Sequence, residues 1–179
     1  MVCGPMFSGK TEELIRRMRR AQIAGQKVEI FKPVSDVRYD DQEVVSHDKN
    51  SIPSTPIENS SNMLLLADDV QVVGIDEAQF FDDGIIEVAN ALANQGKRVV
   101  IAGLDKDFMG RPFGPMPNLL ATAEYVTKLH AICRRTGGPA HFSHRIVEGD
   151  QTFLLGEQGE YEPVSRVVYN ELNKTKSGH

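Results

Sequence analysis

A parallel α/β sheet flanked by helices, with a small β-containing lobe at its C-terminal end, is the fold predicted by three stretches of this sequence. The first is Gly4-Pro5-Met6-Phe7-Ser8-Gly9-Lys10-Thr11, a G-x-x-x-x-G-K-T loop that opens a helical pattern. The second, Val70-Gln71-Val72-Val73-Gly74-Ile75, is an apolar, β-branched run that closes on Asp76-Glu77. The third, Lys97 to Gly103, is another such run, reached through a second helical pattern. Apolar strands alternating with helices pair in parallel through right-handed crossovers. Ligands of such sheets bind beyond the carboxyl ends of the strands, where the glycine-rich loop, Asp76-Glu77 and Leu104-Asp105 all fall.

The loop is a phosphate cradle, or P-loop. Gly4 and Gly9 let consecutive backbone N–H groups turn toward one centre. Lys10 adds a cation that can reach β- and γ-phosphates, and Thr11 adds a hydroxyl for Mg²⁺. The helix that follows aims its positive end at the same anion. Only Val2 and Cys3 precede the loop as apolar strand residues, fewer than the five or so such a loop normally hangs from. The expectation is therefore a strand trimmed here or beginning upstream.

The helix expected from about Lys10 to Ala24 carries Glu12 and Glu13 in its first turn and Arg19 and Arg20 toward its end. Leu14, Ile15, Met18 and Ala21 form its apolar stripe, and Gly25 stops it. Its arginines, 16, 17, 19 and 20, read as a solvated face. Lys27 to Pro33 alternates like a strand, followed by a polar turn through Asp36-Val37-Arg38-Tyr39. Composition alone makes Asp36 and Arg38 an ordinary surface ion pair. Ser46 to Asn62, rich in Ser, Asn and Pro, is expected to be a mobile connection with at most a short strand.

Asp76, at the end of its strand, is positioned to hold Mg²⁺ beside Thr11, and Glu77 can take a proton from an attacking hydroxyl or water. Phe80 and Phe81, on their own, read as core. A helix is expected over Asp83–Gln95, a loop over Leu104–Pro117, a helix over Met116–Ala123 and a last strand over Tyr125–Leu129. From Cys133 the glycine-punctuated texture predicts a small lobe, with β segments at Phe142–Val147 and Thr152–Leu155. The predicted organisation is a nucleotide-binding α/β domain over 1–132, the small lobe over 133–172, and a frayed tail over 173–179.

The chain has 179 residues, 40% of them hydrophobic and 25% charged, the composition of a globular domain. A net charge of −5 argues against a nucleic-acid surface. With no apolar run near 18 residues, no membrane span is expected. There is no signal-peptide pattern, and two cysteines cannot make a disulfide framework. These features together predict a cytoplasmic protein.

An ordered set of motifs resembles the type II thymidine kinase family. It runs from Gly4–Leu14 through Phe31-Lys32-Pro33 and Asp36-Val37-Arg38-Tyr39 to Asp76-Glu77-Ala78-Gln79-Phe80-Phe81. Gly103-Leu104-Asp105, Phe108, Pro112-Phe113-Gly114, Lys128-Leu129, Ala131, Cys133 and Tyr161-Glu162-Pro163 complete it. The resemblance spans roughly residues 2–169. It implies transfer of the ATP γ-phosphate to the 5′-hydroxyl of thymidine, with Glu77 as general base. By the same resemblance, Gly4 to Thr11 and Asp76 to Gln79 hold the nucleotide, while Thr11 and Asp76 manage Mg²⁺. Asp36 and Arg38 then lie near the reacting phosphate, which replaces the surface-pair reading. The thymine pocket implied is Met6, Phe80, Leu104, Phe108, Phe113, Ser143 and Tyr161, with backbone groups of Thr152, Phe153, Leu154, Leu155 and Gly156. The small lobe matches the family's "lasso", which closes over the nucleoside, and the family is typically a homotetramer.

Family members often staple that lobe with a structural zinc held by two cysteine-rich pairs. Here the first reads Cys133-Arg134-Arg135-Thr136 and the second Ser165-Arg166-Val167-Val168. One thiolate cannot replace four ligands, so no structural zinc is expected. Val167, Val168 and Tyr169 are expected to fill the space.

Two other readings compete. A P-loop ATPase or switch would use Glu77 to activate water. Its GTPase form needs N-K-x-D, and neither Thr127-Lys128-Leu129-His130 nor Asn173-Lys174-Thr175-Lys176 supplies the Asp. An inactive binding protein is the third, opposed by intact Lys10, Thr11, Asp76 and Glu77.

Overall fold

The computed structural model describes residues 1–34, 43–45, 51–147 and 160–176. A parallel sheet of six strands, counted among these residues, organises the chain in the order β5-β2-β6-β7-β1-β8. The strands are β1 (Val2–Gly4), β2 (Val28–Pro33), β5 (Thr55–Ile57), β6 (Val72–Ile75), β7 (Arg98–Leu104) and β8 (Thr127–Lys128). Strands β3 (Glu43–Val45) and β4 (Ser51–Pro53) form a separate antiparallel pair.

Period-two alternation sorts side chains to the two faces. Val2, Ile30, Val72, Val100 and Ala102 meet the stripe Leu14, Ile15, Met18 and Ala21 of helix α1 (Lys10–Ile23). Cys3, Phe31, Val73, Ile75 and Ile101 face the other way. There they meet Met63 of α2 (Asn62–Leu66), Ile85 and Leu92 of α3 (Ile85–Asn94), and Met116 and Leu119 of α4 (Met116–Thr122). At roughly 1.5–3 kcal/mol for each large apolar side chain buried, these two layers supply the fold's main driving force.

Although short, β1 is paired on both sides. Val2 lies opposite Ala102 of β7 and Thr127 of β8, so the phosphate loop leaves from an interior strand.

The small lobe comprises β9 (Ala131–Ile132), β10 (Pro139–Ala140), β11 (Phe142–Arg145), β12 (Tyr161–Val164) and α5 (Arg166–Lys176). β9 pairs antiparallel with β10, and β11 with β12. Its core joins Ala131, Cys133, Ala140, Phe142, Val164, Val168 and Tyr169.

Four expectations need correction. The Ser46–Asn62 connection contains two strands, β4 and β5, and β5 is a full edge member of the main sheet. The frayed tail does not begin at Asn173, because α5 continues to Lys176. Val168 and Tyr169 fill the lobe as expected, but Val167 points outward, 65% exposed, because helical spacing puts it on the opposite face. The strand expected over Tyr125–Leu129 is regular only over Thr127–Lys128, although the Tyr125 carbonyl and the Leu129 N–H still bond Met1 and Cys3, and the Tyr125 side chain is exposed. The β segment expected at Thr152–Leu155 lies outside the described residues.

Candidate active site

The phosphate loop turns sharply between β1 and α1. Gly4 has φ 149°, and a Cβ there would lie 2.5 Å from the Leu129 carbonyl oxygen. Phe7 is left-handed at φ 62°, and Gly9, also left-handed at φ 82°, precedes the first helical residue. This curl leaves the first N–H groups of α1 facing the cleft. Ser8 Oγ and Lys10 Nζ both donate to the Pro5 carbonyl, each at 2.8 Å, bracing the loop from within.

Asp76 follows the end of β6, beside β1's neighbour β7 in the sheet. Thr11 Oγ1 donates to Asp76 Oδ2 at 3.2 Å, and the Glu77 N–H donates to Asp76 Oδ1 at 3.0 Å. The hydroxyl and carboxylate that sequence reasoning paired are thus in contact. They are a hard oxygen pair of the kind Mg²⁺ takes beside phosphate oxygens. Glu77 is left-handed (φ 49°, ψ 44°), a conformation costing roughly 1–3 kcal/mol for a residue with a side chain. It lines one open cleft with Met6, Lys10, Thr11 and Leu104.

Past the cleft, aromatic residues gather. Phe80 meets Phe113 edge to face at 5.5 Å, and Phe142 stacks on Tyr169 at 4.4 Å. Tyr169 donates its hydroxyl to the Phe108 carbonyl at 3.0 Å, while the Arg145 guanidinium lies 5.1 Å from the Phe108 ring centre. Ser143 Oγ accepts the Met6 N–H at 2.9 Å, tying β11 to the phosphate loop. Tyr161 is buried on β12, opposite Arg145 of β11. Of the residues assigned to the base pocket, Met6 and Leu104 line the phosphate-loop cleft and Ser143 bonds Met6, while Phe80 and Phe113 pack on each other. Asp36, Arg38 and Thr152–Gly156 lie outside the described residues.

Several groups near the site escaped sequence reasoning. Lys128 Nζ pairs with the buried Asp105 at 2.7 Å just beyond the end of β7, and that partner raises the lysine's pKa. Tyr169 and Arg145 grip Phe108 from the small lobe. Arg17, read as solvated, pairs with Glu13 and donates to Thr127 Oγ1 at 3.0 Å. These partners lie tens of residues apart in most cases, and a single sequence carries no signal of such pairings.

The four positions where the zinc pattern would stand hold Cys133, Thr136, Ser165 and Val168. Burial, the largest single influence, pushes the Cys133 thiol up. Hydrogen bonds from the Thr136 side chain and from the backbone at Ser165, Arg135 and Thr136 outweigh it, bringing the thiol down to about 7. Val168 packs in the same cluster as Cys133. One thiol, two hydroxyls and an isopropyl group do not fit Zn²⁺. No cluster of three or more His, Cys, Asp or Glu suited to a metal occurs among the described residues. Nor is any helix among them long and apolar enough to cross a membrane.

Comparison with known proteins identifies the family. A family profile described as thymidine kinase matches residues 1–169. A thymidine kinase of Porphyromonas gingivalis W83 is 63% identical over 173 residues, covering 97% of this chain and 85% of that protein. One from Bacteroides thetaiotaomicron is 62% identical over 169 residues, covering 94% and 85%. One from Rhodothermus sp. is 58% identical over 177 residues, covering 99% and 83%. A crystal structure of Bacteroides Pif1 bound to ssDNA superposes with a TM-score of only 0.36 and 14% identity. It covers 72% of this chain and 37% of that chain.

Proposed function

The chain belongs to the thymidine kinase family, and on that premise we propose that it transfers the γ-phosphate of ATP to the 5′-hydroxyl of thymidine. The carrying observation is the contact of Thr11 Oγ1 with Asp76 Oδ2, Thr11 itself lining one cleft with Lys10 and Glu77.

The loop amides of Gly4 to Thr11 and the Lys10 ammonium hold the triphosphate, with Asp76, Glu77, Ala78 and Gln79 closing the site from the β6 side. Thr11 and Asp76 are the residues for Mg²⁺, which when bound draws charge from the β- and γ-oxygens. Glu77 takes the proton from the thymidine 5′-hydroxyl as that oxygen bonds the γ-phosphorus. The bond to the β–γ bridging oxygen breaks, and ADP leaves with its electron pair. Asp36 and Arg38 are assigned to the 5′ end and the developing charge. The thymine base is assigned to Met6, Phe80, Leu104, Phe108, Phe113, Ser143 and Tyr161, with backbone groups of Thr152–Gly156. A base edge read by backbone groups is selected strongly, because a ligand lacking the partner leaves a dry amide unpaired.

The domain division at about residue 132, a homotetrameric assembly, a cytoplasmic location and the absence of a structural zinc complete the proposal.

The test is incubation with Mg-ATP and thymidine, deoxycytidine or no nucleoside. Thymidine monophosphate is expected from thymidine alone, with kcat falling about 10²- to 10⁴-fold in Glu77→Gln. Equal ADP release without nucleoside would instead identify a hydrolase.

A further inference from the structure

The side chain of Gln79 is 3% exposed, and both ends of its amide are committed. Oε1 accepts the backbone N–H of Leu104 at 2.9 Å in a fully buried contact. Nε2 donates to Glu77 Oε2. The amide's orientation is fixed by chemistry. Turned over, it would set NH₂ against an N–H donor and a carbonyl oxygen against a carboxylate.

Two glycines let neighbouring backbone come close to Gln79, Gly103 to its side chain and to Met116, Gly114 to its main chain. A Cβ on Gly103 would lie 2.9 Å from Gln79 Oε1, and one on Gly114 would lie 2.5 Å from the Gln79 carbonyl oxygen. Two close approaches on separate segments fix the glutamine from both sides. Leu104 ends β7, the sheet neighbour of β6, whose end carries Glu77. The amide therefore spans two adjacent strand ends.

We propose that Gln79 is a positioning residue for the phosphoryl transfer, holding the Glu77 carboxylate to the rigid end of β7 rather than touching nucleotide with its side chain. This rests on the reading of Glu77 as the base. A carboxylate on a left-handed residue just past a strand end has rotamer freedom. A charge-assisted hydrogen bond at Oε2 removes it and fixes where the second oxygen points. The same amide orients Leu104, so the base and the nucleoside pocket share one support.

The experiment is a kinetic double-mutant cycle on the full chain, using Gln79→Met, Glu77→Gln and the pair. Methionine keeps the length and bulk of glutamine without its hydrogen bonds. The expected result is a fall in kcat of about 10- to 100-fold for Gln79→Met, with KM for ATP and thymidine within about threefold. In the Glu77→Gln background, adding Gln79→Met should change kcat less than about twofold, because its route of action is already gone. Gln79→Glu keeps an acceptor for the Leu104 N–H but sets a second carboxylate against Glu77, so it should show at least the same kcat loss and move the acidic limb of the kcat–pH profile upward.

Normal kcat in Gln79→Met, losses that multiply in the double variant, or a raised KM for ATP at unchanged kcat would each overturn the proposal. The last would make the side chain a nucleotide ligand. An active Glu77→Gln would overturn the base reading and this inference together. An inactive Glu77→Gln beside a normal Gln79→Met would overturn this inference alone.

Discussion

A methyl group on Gly4 would meet the Leu129 carbonyl oxygen at 2.5 Å and Ser8 Oγ at 3.0 Å, on a backbone whose φ of 149° already disfavours any side chain. Gly4→Ala is therefore expected to lower stability by roughly 1–3 kcal/mol and to weaken ATP binding, because the loop and β8 cannot both keep their positions. Thermal unfolding with and without Mg-ATP reads both effects. An unchanged melting temperature would mean that the loop can open without penalty. At this scale the motif made much of the site legible: Gly4, Lys10, Thr11, Asp76 and Glu77 carry their chemistry in residue type and spacing. Gln79 shows what spacing cannot carry. It sits among the right neighbours in sequence, yet its partner is the N–H of Leu104, 25 residues on, and that depends on which strands are adjacent.

Helix α1 was legible from its 3.6-residue stripe, whose four apolar members are all buried. Its polar face holds a testable electrostatic feature. Hydrogen bonds from Arg16 and Arg17 bring the Glu13 carboxyl down to about 2, with burial opposing them. A folded-state value below the unfolded one means that this stabilisation is fully present above about pH 5. It drains as the pH falls toward 2. Glu13→Gln should cost about 1 kcal/mol near neutrality, given the modest worth of ion pairs in contact with solvent. The gap between the two proteins' melting temperatures should close as the pH falls toward 2. A gap that stays constant would assign the effect to packing. Strand β5, by contrast, was hidden. Its Thr55-Pro56-Ile57 lies in a Ser-, Asn- and Pro-rich stretch, and Pro56 is tolerated because an edge strand leaves one row of backbone groups unpaired. Composition reports the loops on either side and misses three residues that pair only through β2.

At the scale of the molecule, the alternation of strands and helices announced the parallel sheet. The small lobe's architecture came through only in part, because its strands are two to four residues long and draw their order from packing around Phe142 and Tyr169. That apolar core is assigned the job a metal would otherwise do. Native mass spectrometry is expected to give a four-subunit mass carrying no zinc, and chelator treatment should leave the melting temperature unchanged. A bound zinc per subunit would overturn the assignment of the lobe to packing, and a monomer mass would overturn the tetramer.

The interior position of β1 also sets a timetable for biosynthesis. The strand that carries the phosphate loop is made before both of its sheet neighbours, lying between β7 and β8 with Val2 opposite Ala102 and Thr127. The Met6 amide finds its partner in Ser143, 137 residues later. At roughly 5–20 residues per second, that interval lasts on the order of ten seconds. The loop's strand is thus made well before the elements that secure it, and the nascent chain has no braced nucleotide cradle until β11 has been translated.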